Sequence, residues 1–533
     1  MKFNYLLLGA MVCAGFAACS GDEGGNNKKS DVVVEGGTYY MGTRLSVPSG
    51  AFSRATAGDY GQGTADESEV AKVQFLFYDA DGNFMTVGES GTPTVTMKGD
   101  GQNVGAIAEA VIALTLKQGD DYPAYLVAYA NVDDSAIDAM QGKSMTEAYA
   151  EAASDYKNAD GKFLMASSVY LNAAGKATYA VPVTANNFFA TTAMAKQPGN
   201  ALDVYVERLA AKVEVVSASA TTPDVEIGDD KLALTIKGWT LSATNGKASY
   251  LKQVDESWNA WSTAGWTGWN KPGDHRCFWA KDANYENNTG LTYAGYTTEN
   301  PTSLYCLENT FSAAAYANAD NAENAGDGVA THVVICGQYK LNNEPEGTTF
   351  YLNNGLLYKA DGLITRWANN GQVYTAATGA DGTTYNTLAP GNYKLVRVAG
   401  TNHTTLAVDE DKVAAGETLY YKEGNDFVAY ADRAAVNAKL LATVGSAITY
   451  TEGKVYFTVP VQHFGPAGKD GELGIVRNHW YKVTINKIEG LGTGVYDPDE
   501  VVVPGGDDEE KTYHVGARLN VLSWQAINQS VDL

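Results

Sequence analysis

The sequence is short of basic residues and of histidine, and each shortage excludes a class of function. Its 533 residues include 38 Lys plus Arg against 62 Asp plus Glu, a formal net charge of −24. So acidic a chain offers no positive field for phosphate backbones, which argues against nucleic acid as a partner. The six histidines are far apart in the sequence, which argues against a centre built from histidine. No catalytic motif with supporting context is present either, so we expect no metal site, no cofactor and no enzymatic activity.

Cysteine is equally scarce, with five residues in the chain. Two of them lie in the first nineteen residues, which leaves Cys277, Cys306 and Cys336. Three cysteines without a Cys-x-x-Cys pair allow at most one disulfide within the chain and exclude zinc-finger spacing. A disulfide-dense scaffold is therefore excluded.

The residues that are abundant indicate a β-rich protein. The chain has 33 Tyr and 56 Gly but only 14 Pro, and 45% of its residues are hydrophobic against 19% charged. This composition is typical of many short strands joined by turns. Alternating apolar residues predict a half-buried strand at Val73–Phe77, and further strands at 125–130, 204–216, 231–241, 331–340, 392–398, 454–462 and 475–488. An Ala-rich stretch from Asp134 to Tyr156 predicts a helical excursion.

The N-terminus has the pattern of an export signal. Lys2 is followed by an apolar stretch from Tyr5 to about Gly15, and small residues precede Cys19. The stretch is too short to span a bilayer, so residues 1–18 are expected to be a signal peptide and Cys19 a lipidation site in a lipobox. An ordinary signal peptide with an incidental cysteine is the alternative.

Two ends of the chain carry the same ten-residue pattern. Residues 38–47 read TYYMGTRLSV and residues 512–521 read TYHVGARLNV, with six identical positions. Strand alternation predicts one matching inward face in each copy. The faces consist of Tyr39, Met41, Thr43, Leu45 and Val47 in the first copy, and of Tyr513, Val515, Ala517, Leu519 and Val521 in the second. The two segments are therefore predicted to be interchangeable strands that fit the same groove.

The two strands can exchange only if the first is removed and if the second can extend to the groove of a neighbouring copy. Arg54 and Ala55 lie in a loop of small residues just after the first copy, where proteolysis concentrates. Arg44 is the competing site, but it would lie within a paired strand. Residues 497–511 are acidic and rich in Pro and Gly, which predicts an extended linker. Its first fourteen residues could span up to ~45 Å.

These features together resemble the FimA/Mfa-type major fimbrillins, which polymerise into type V pili, and most closely the Mfa-type stalk subunit. The resemblance covers nearly the whole chain. It is carried by the lipobox at Cys19, a strand that ends near Arg54, and a terminal segment containing Trp524. It is also carried by three motifs in order along the chain, namely Tyr129–Asn131, Val206–Val213 and Val476–Val483.

The resemblance implies a mainly β fold of two transthyretin-like β-sandwich domains with short helices in loops and a C-terminal donor strand. The implied parts are a signal peptide at 1–18, a lipidated propeptide at 19–54 with the removable strand 38–47, sandwiches at 55–203 and 204–496, the acidic linker, and the donor at 512–533. It further implies an outer-membrane lipoprotein precursor that an Arg-specific protease cuts after Arg54. The subunit would then polymerise with neighbouring copies, anchor and tip fimbrillins into a cell-surface fimbrium for adhesion and biofilm formation.

Two alternatives remain open from the sequence. The first is a minor or tip fimbrillin, which should carry an added adhesin domain. The second is a glycan-binding surface lipoprotein, for which a tryptophan cluster is the support: Trp258, Trp261, Trp266 and Trp269. Such a cluster could form an aromatic patch that binds host or bacterial surface ligands, although a long loop pinned by its own aromatics would show the same pattern.

Overall fold

The computed structural model describes residues 37–48, most of 63–500, and 518–532 without 524. Between 63 and 500, the structure does not describe residues 87, 90–94, 102–103, 117–120, 169, 172–176, 179, 198, 218–224, 254–269, 272–275, 278–279, 281–291, 297–300, 311–330, 381, 464–472 and 489.

The N-terminal part of the chain forms a nine-stranded sheet. The strands of this part are β1 (Gly37–Pro48), β2 (Val73–Tyr78), β3 (Gly88–Glu89), β4 (Thr96–Gly101), β5 (Val104–Leu116), β6 (Tyr125–Ala130), β7 (Ala152–Ala153), β8 (Met165–Ser167), β9 (Tyr170–Leu171), β10 (Ala177–Thr178), β11 (Val181–Pro182) and β12 (Leu202–Arg208). The order in the sheet is β11-β6-β8-β12-β1-β5-β3, with β2 on β6 and β4 on β5. One apolar core contains residues of β2 and β6 as well as of β5, so the sheet curls around it.

Strand β2 is buried on both faces rather than on one. Phe75 and Phe77 enter the core inside the curled sheet, whereas Leu76 and Tyr78 enter a second core on the opposite face. The prediction of a half-buried strand here was therefore wrong, because helices cover the outer face of this part of the sheet. Burial on two faces explains why the apolar run is almost continuous.

The helices of the N-terminal part are short. They are α1 (Ala65–Ser68), α2 (Asp134–Met140), α3 (Met145–Ala148) and α4 (Thr192–Ala195). The predicted helical excursion is thus two separate helices, α2 and α3. Gly142 lies between them with φ of 78°, a left-handed conformation that glycine adopts readily and that ends α2.

The chain passes from one sheet to the next at Leu209. Strand β12 belongs to the N-terminal sheet, and the next strand belongs to the C-terminal one. The remaining strands are β13 (Ala210–Ser217), β14 (Val225–Ile227), β15 (Asp230–Ser242), β16 (Ala248–Ser249), β17 (Asn270–Lys271), β18 (Arg276–Cys277), β19 (Leu304–Leu307), β20 (His332–Leu341), β21 (Phe350–Asn353), β22 (Leu356–Tyr358), β23 (Tyr374–Gly379), β24 (Gly382–Thr387), β25 (Tyr393–Arg397), β26 (His403–Val408), β27 (Leu419–Glu423), β28 (Asp426–Ala429), β29 (Ala447–Tyr450), β30 (Lys454–Pro460), β31 (Trp480–Lys487), β32 (Thr493–Gly494), β33 (Arg518–Ser523) and β34 (Gln525–Asp532). The domain boundary predicted between 203 and 204 therefore falls inside β12, a strand of the first domain.

The C-terminal domain is a sandwich of two five-stranded sheets. Their orders are β19-β13-β31-β34-β33 and β14-β15-β20-β30-β32. Side chains from both sheets share one core, in which Val213 and Val483 face Ile335 and Phe457 across the sandwich. The short helix α5 (Tyr293–Tyr296) lies outside this core.

A separate unit is inserted between β20 and β30, and we call it the insertion (Phe350–Tyr450). It contains a five-stranded sheet, a four-stranded sheet, and the helices α6 (Ala360–Asn370) and α7 (Arg433–Val444). It has its own apolar core, centred on Leu363, Trp367 and Leu440. The segment 204–496, predicted as a single sandwich, therefore contains an additional unit.

The mainly β fold with few short helices is confirmed. Among the described residues, no helix is both long and apolar enough to cross a membrane.

Candidate functional site

Strand β1 lies inside the N-terminal sheet rather than at its edge. It pairs antiparallel with β5 from Gly37 to Pro48, and parallel with β12 from Thr43 to Ser46. A strand in this position satisfies backbone donors and acceptors on both of its neighbours. Its departure would therefore leave a slot bounded by two unpaired strand edges.

The register of β1 brings its predicted inward positions opposite buried residues. Positions 39, 41, 43, 45 and 47 have as partners on β5 Leu114, Ile112, Ala110, Ala108 and Ala106, all of which are buried. Directly opposite residues of an antiparallel pair share a face of the sheet. Met41 is fully buried and belongs to the inner core. Alanine thus stands opposite each of the last three positions.

The first helix after the predicted cut is anchored in a buried polar cluster. In α1, the Glu67 carboxylate accepts from Lys212 Nζ at 2.7 Å and from the Tyr305 hydroxyl. Arg208 donates to the Glu67 carbonyl and, at 2.9 Å, to the Ser68 hydroxyl. We call Glu67, Ser68, Arg208, Lys212 and Tyr305 the α1 anchor.

The α1 anchor joins the two domains. Arg208 ends the N-terminal sheet, whereas Lys212 and Tyr305 belong to the C-terminal sheet. Arg208 also donates to Asn478 Oδ1 at 2.7 Å, which connects it to the loop before β31. The segment that follows the predicted cut is thus held by contacts that do not involve β1.

The charge state of Glu67 reflects two opposing effects. Burial by itself raises the pKa of the Glu67 carboxyl, but hydrogen bonds from Lys212 and Tyr305 and the Lys212 charge outweigh it, so the pKa lies below its ordinary value of 4.5. Burial and the hydrogen bond to Glu67 raise the pKa of Tyr305. The carboxylate is therefore ionised at neutral pH and the phenol remains a donor.

We expect Glu67→Gln to destabilise the protein by about 3 kcal/mol at pH 7, because the buried Lys212 ammonium would lose the carboxylate to which it donates. A lowered pKa in the folded state means that the stabilisation is present above about pH 4.5 and is lost as the pH falls below it. The difference between the variant and the wild type should therefore shrink in acid. Denaturant unfolding at pH 7 and at pH 3.5 measures both effects.

Glu69→Gln is the matched control, because it makes the same change two residues away. The Glu69 carboxylate pairs with Lys162 and is 39% exposed, so we expect a loss below about 1 kcal/mol. Equal losses for the two variants would contradict the role given to the α1 anchor.

A second buried ion pair fixes the segment before β31. Arg477 and Glu308 are 1% and 3% exposed, with Nη2 and Oε1 separated by 3.1 Å. Arg477 also donates to the carbonyls of Ser249 at 2.7 Å and Tyr250 at 2.9 Å. Its backbone N–H donates to Glu308 Oε2 at 3.0 Å. Every polar group of this pair is thus occupied within the protein.

The last two strands form a hairpin at one edge of the C-terminal sheet. β34 runs parallel to β31 from Ala526 to Asp532, and β33 pairs only with β34. Leu519 and Val521 of the predicted donor face lie in β33. This outer strand can separate without breaking pairs inside the sandwich.

Several predicted residues lie outside the described part of the chain. They are Cys19, Arg54, Ala55, Tyr513, Val515, Ala517, Trp524, Trp258, Trp261, Trp266 and Trp269. The roles predicted for them stay predictions. Tyr39, Leu45 and Val47 lie in β1 together with Met41.

The structure adds residues whose roles the sequence did not suggest. Glu67 and Tyr305 were not singled out, and the only local signal was a Thr64-x-x-Glu67 capping box at the start of α1.

Cys306 and Cys336 are free and buried, and burial raises the pKa of both thiols to about 12. Among the described residues, no group of three or more His, Cys, Asp or Glu could hold a metal ion.

The fold and the site together define a mainly β protein whose first strand and last strands each complete a sheet. Residues 448–530 match the family described as "Major fimbrial subunit protein type IV, Fimbrillin, C-terminal". The predicted resemblance to fimbrillins is confirmed, and the matched segment runs from β29 to β34. The finer likeness to the Mfa type stays a prediction.

Two solved structures illustrate what the chain is similar to. A fimbrial assembly protein from Parabacteroides distasonis is 10% identical, with 70% of this chain and 97% of that chain covered and a TM-score of 0.28. The tip fimbrial protein Mfa3 from Porphyromonas gingivalis is 14% identical, with 60% and 80% covered and a TM-score of 0.28. No curated protein matches the chain.

Proposed function

We propose that this chain is a structural subunit of a surface fimbria that polymerises by donor-strand exchange after a proteolytic cut at Arg54. The observation that carries the proposal is the position of β1. It pairs with β5 and β12 inside the N-terminal sheet, it precedes the predicted cut, and its sequence pattern returns at residues 512–521. The family match over residues 448–530 supports the same class of protein.

The proposed mechanism has three steps. A cut after Arg54 leaves β1 and the lipidated Cys19 attached to the subunit by non-covalent contacts alone. Loss of β1 opens the slot between β5 and β12, and the donor segment of a neighbouring copy enters it by pairing with these edges. The α1 anchor holds the new N-terminal segment in place, because its contacts are independent of β1.

Burial of a donor strand in an emptied slot is favourable enough to hold a filament together. Each apolar side chain buried in the slot contributes about 1.5–3 kcal/mol. Five inward positions therefore give roughly 7–15 kcal/mol before ordering costs, in addition to ladder hydrogen bonds. The incoming strand replaces contacts of the same kind, so exchange is favoured by permanent loss of the cut strand.

We expect treatment of the purified precursor with an Arg-specific protease to give filaments whose subunits begin at Ala55. The Arg54→Ala variant should stay monomeric under the same treatment, because β1 remains covalently attached and occupies the slot. Electron microscopy detects the filaments, and N-terminal sequencing identifies the first residue of the cut subunit. Arg44→Ala is the control, and it should form filaments like the wild type.

Cut wild-type protein that stays monomeric would contradict the proposal. If the Arg54→Ala variant forms filaments whose subunits begin at Leu45, the protease cuts after Arg44 instead.

A second candidate is an accessory or tip subunit. The insertion favours it, because an added domain with its own core is what such a subunit should carry. A stalk subunit accepts one donor and supplies another, so it forms homopolymers after the cut. A tip subunit would bind a donor peptide corresponding to residues 512–533 of a stalk protein and would not extend further.

A further inference from the structure

The segment that leads to the donor region is held by the insertion. Arg397, the last residue of β25, makes a two-pronged contact with Glu500. Its Nη2 lies 2.6 Å from Glu500 Oε2, and its Nη1 donates to Glu500 Oε1. Glu500 is the last described residue before the undescribed stretch that ends at 517. The contact thus lies within the segment predicted as a solvated linker.

The guanidinium of Arg397 is fixed from two further sides. Its Nε donates to the Thr401 carbonyl at 2.6 Å, and its central carbon lies 4.7 Å from the centre of the Tyr496 ring. A guanidinium that stacks on an aromatic ring and binds a carboxylate through two bonds has one favoured orientation. Lysine could not reproduce this geometry.

The insertion also contacts the backbone just before the linker. Asn402 donates its amide to the Gly494 carbonyl at 3.0 Å. From the side of the sandwich, the Thr451 hydroxyl donates to the Tyr496 carbonyl at 2.6 Å, and the Ala294 N–H donates to the Pro498 carbonyl at 3.2 Å. The segment 494–500 is therefore held between the insertion and the sandwich.

We propose that the insertion positions the donor strand by clasping residues 494–500, so that the reach of the donor is counted from Val501 and not from Asp497. This inference rests on the proposed function, because it assigns a role in strand exchange. We call the contact of Arg397 with Glu500 and Tyr496 the arm clasp. An arm of eleven residues, 501–511, reaches at most about 40 Å.

The arm clasp should affect the geometry of a filament more than its formation. An arm that starts from a fixed Glu500 is shorter, which raises the effective concentration of the donor near the neighbouring slot and limits the angles between subunits. Arg397 is 29% exposed and Glu500 is 47% exposed, so the pair adds little to stability by itself. Its loss should therefore leave the subunit folded.

The experiment compares Arg397→Ala with Arg366→Ala in the full chain after cleavage. Arg366 lies in the same insertion but contacts Tyr358, and it serves as the matched control. We expect Arg397→Ala filaments to form with a persistence length reduced about twofold or more, whereas Arg366→Ala filaments match the wild type. The exchanged pair Arg397→Glu with Glu500→Arg should recover part of the stiffness.

Hydrogen exchange in the uncut monomer tests the arm clasp without polymerisation. The backbone amides of Tyr496, Asp497, Asp499 and Glu500 should exchange faster in Arg397→Ala than in the wild type. Unchanged exchange, or wild-type stiffness of Arg397→Ala filaments, would overturn the arm clasp while leaving the proposed function intact. Absence of filaments from the cut wild type would overturn the proposed function, and the positioning role with it.

Discussion

Replacement of Arg477 by methionine is expected to lower the free energy of unfolding by about 4 kcal/mol or more. The substitution leaves the Glu308 carboxylate, which is 3% exposed, buried without its counter-charge. It also removes the donors to the Ser249 and Tyr250 carbonyls, and each unsatisfied buried group costs about 1–3 kcal/mol. Denaturant unfolding followed by fluorescence and circular dichroism measures the loss.

Two further variants separate charge from packing at this position. The double variant Arg477→Met with Glu308→Leu removes both charges, so it should lose less stability than Arg477→Met alone. Arg366→Met is the exposed control and should change stability by less than about 1 kcal/mol. A double variant that is less stable than the single one would contradict the role of Arg477 as counter-charge to Glu308.

The strands were predictable where the hydrophobic pattern is strong. Alternation in Val73–Phe77 and near 454–462 gave the positions of β2 and β30, because side-chain periodicity of two is a local property. The motifs Val206–Val213 and Val476–Val483 also marked the region where Arg208, Arg477 and Asn478 are buried. The family resemblance pointed to these motifs, whereas the burial and the partners of these residues came only from the tertiary structure.

The insertion could not be predicted because its boundaries depend on long-range pairing. β20 pairs with β30 across more than one hundred residues of sequence. No local pattern specifies a pairing between strands so far apart in the sequence. The anchored start of the linker was missed for a related reason: its composition indicates solvation, and the contact with Arg397 depends on where β25 ends.

A charge on the inner face of the donor strand should abolish assembly, whereas the same charge on the outer face should not. We expect Val521→Asp to reduce polymerisation of the cut subunit at least 100-fold, because an unpaired carboxylate in the apolar slot costs several kcal/mol. Asn520→Asp adds the same charge at the neighbouring position, which alternation places on the opposite face. Its polymerisation should stay within about twofold of the wild type. Light scattering after cleavage measures both rates.

Val521 also lies in β33 of the monomer, so a failure to assemble needs to be separated from a failure to fold. A folded Val521→Asp subunit retains an intact slot between β5 and β12, and it can still accept a wild-type donor. Mixed with cut wild-type protein, it should therefore end growing filaments and shorten them in proportion to its fraction. A misfolded variant would leave their length unchanged. Assembly of Val521→Asp alone at the wild-type rate would contradict a donor strand that inserts by its Leu519 and Val521 face.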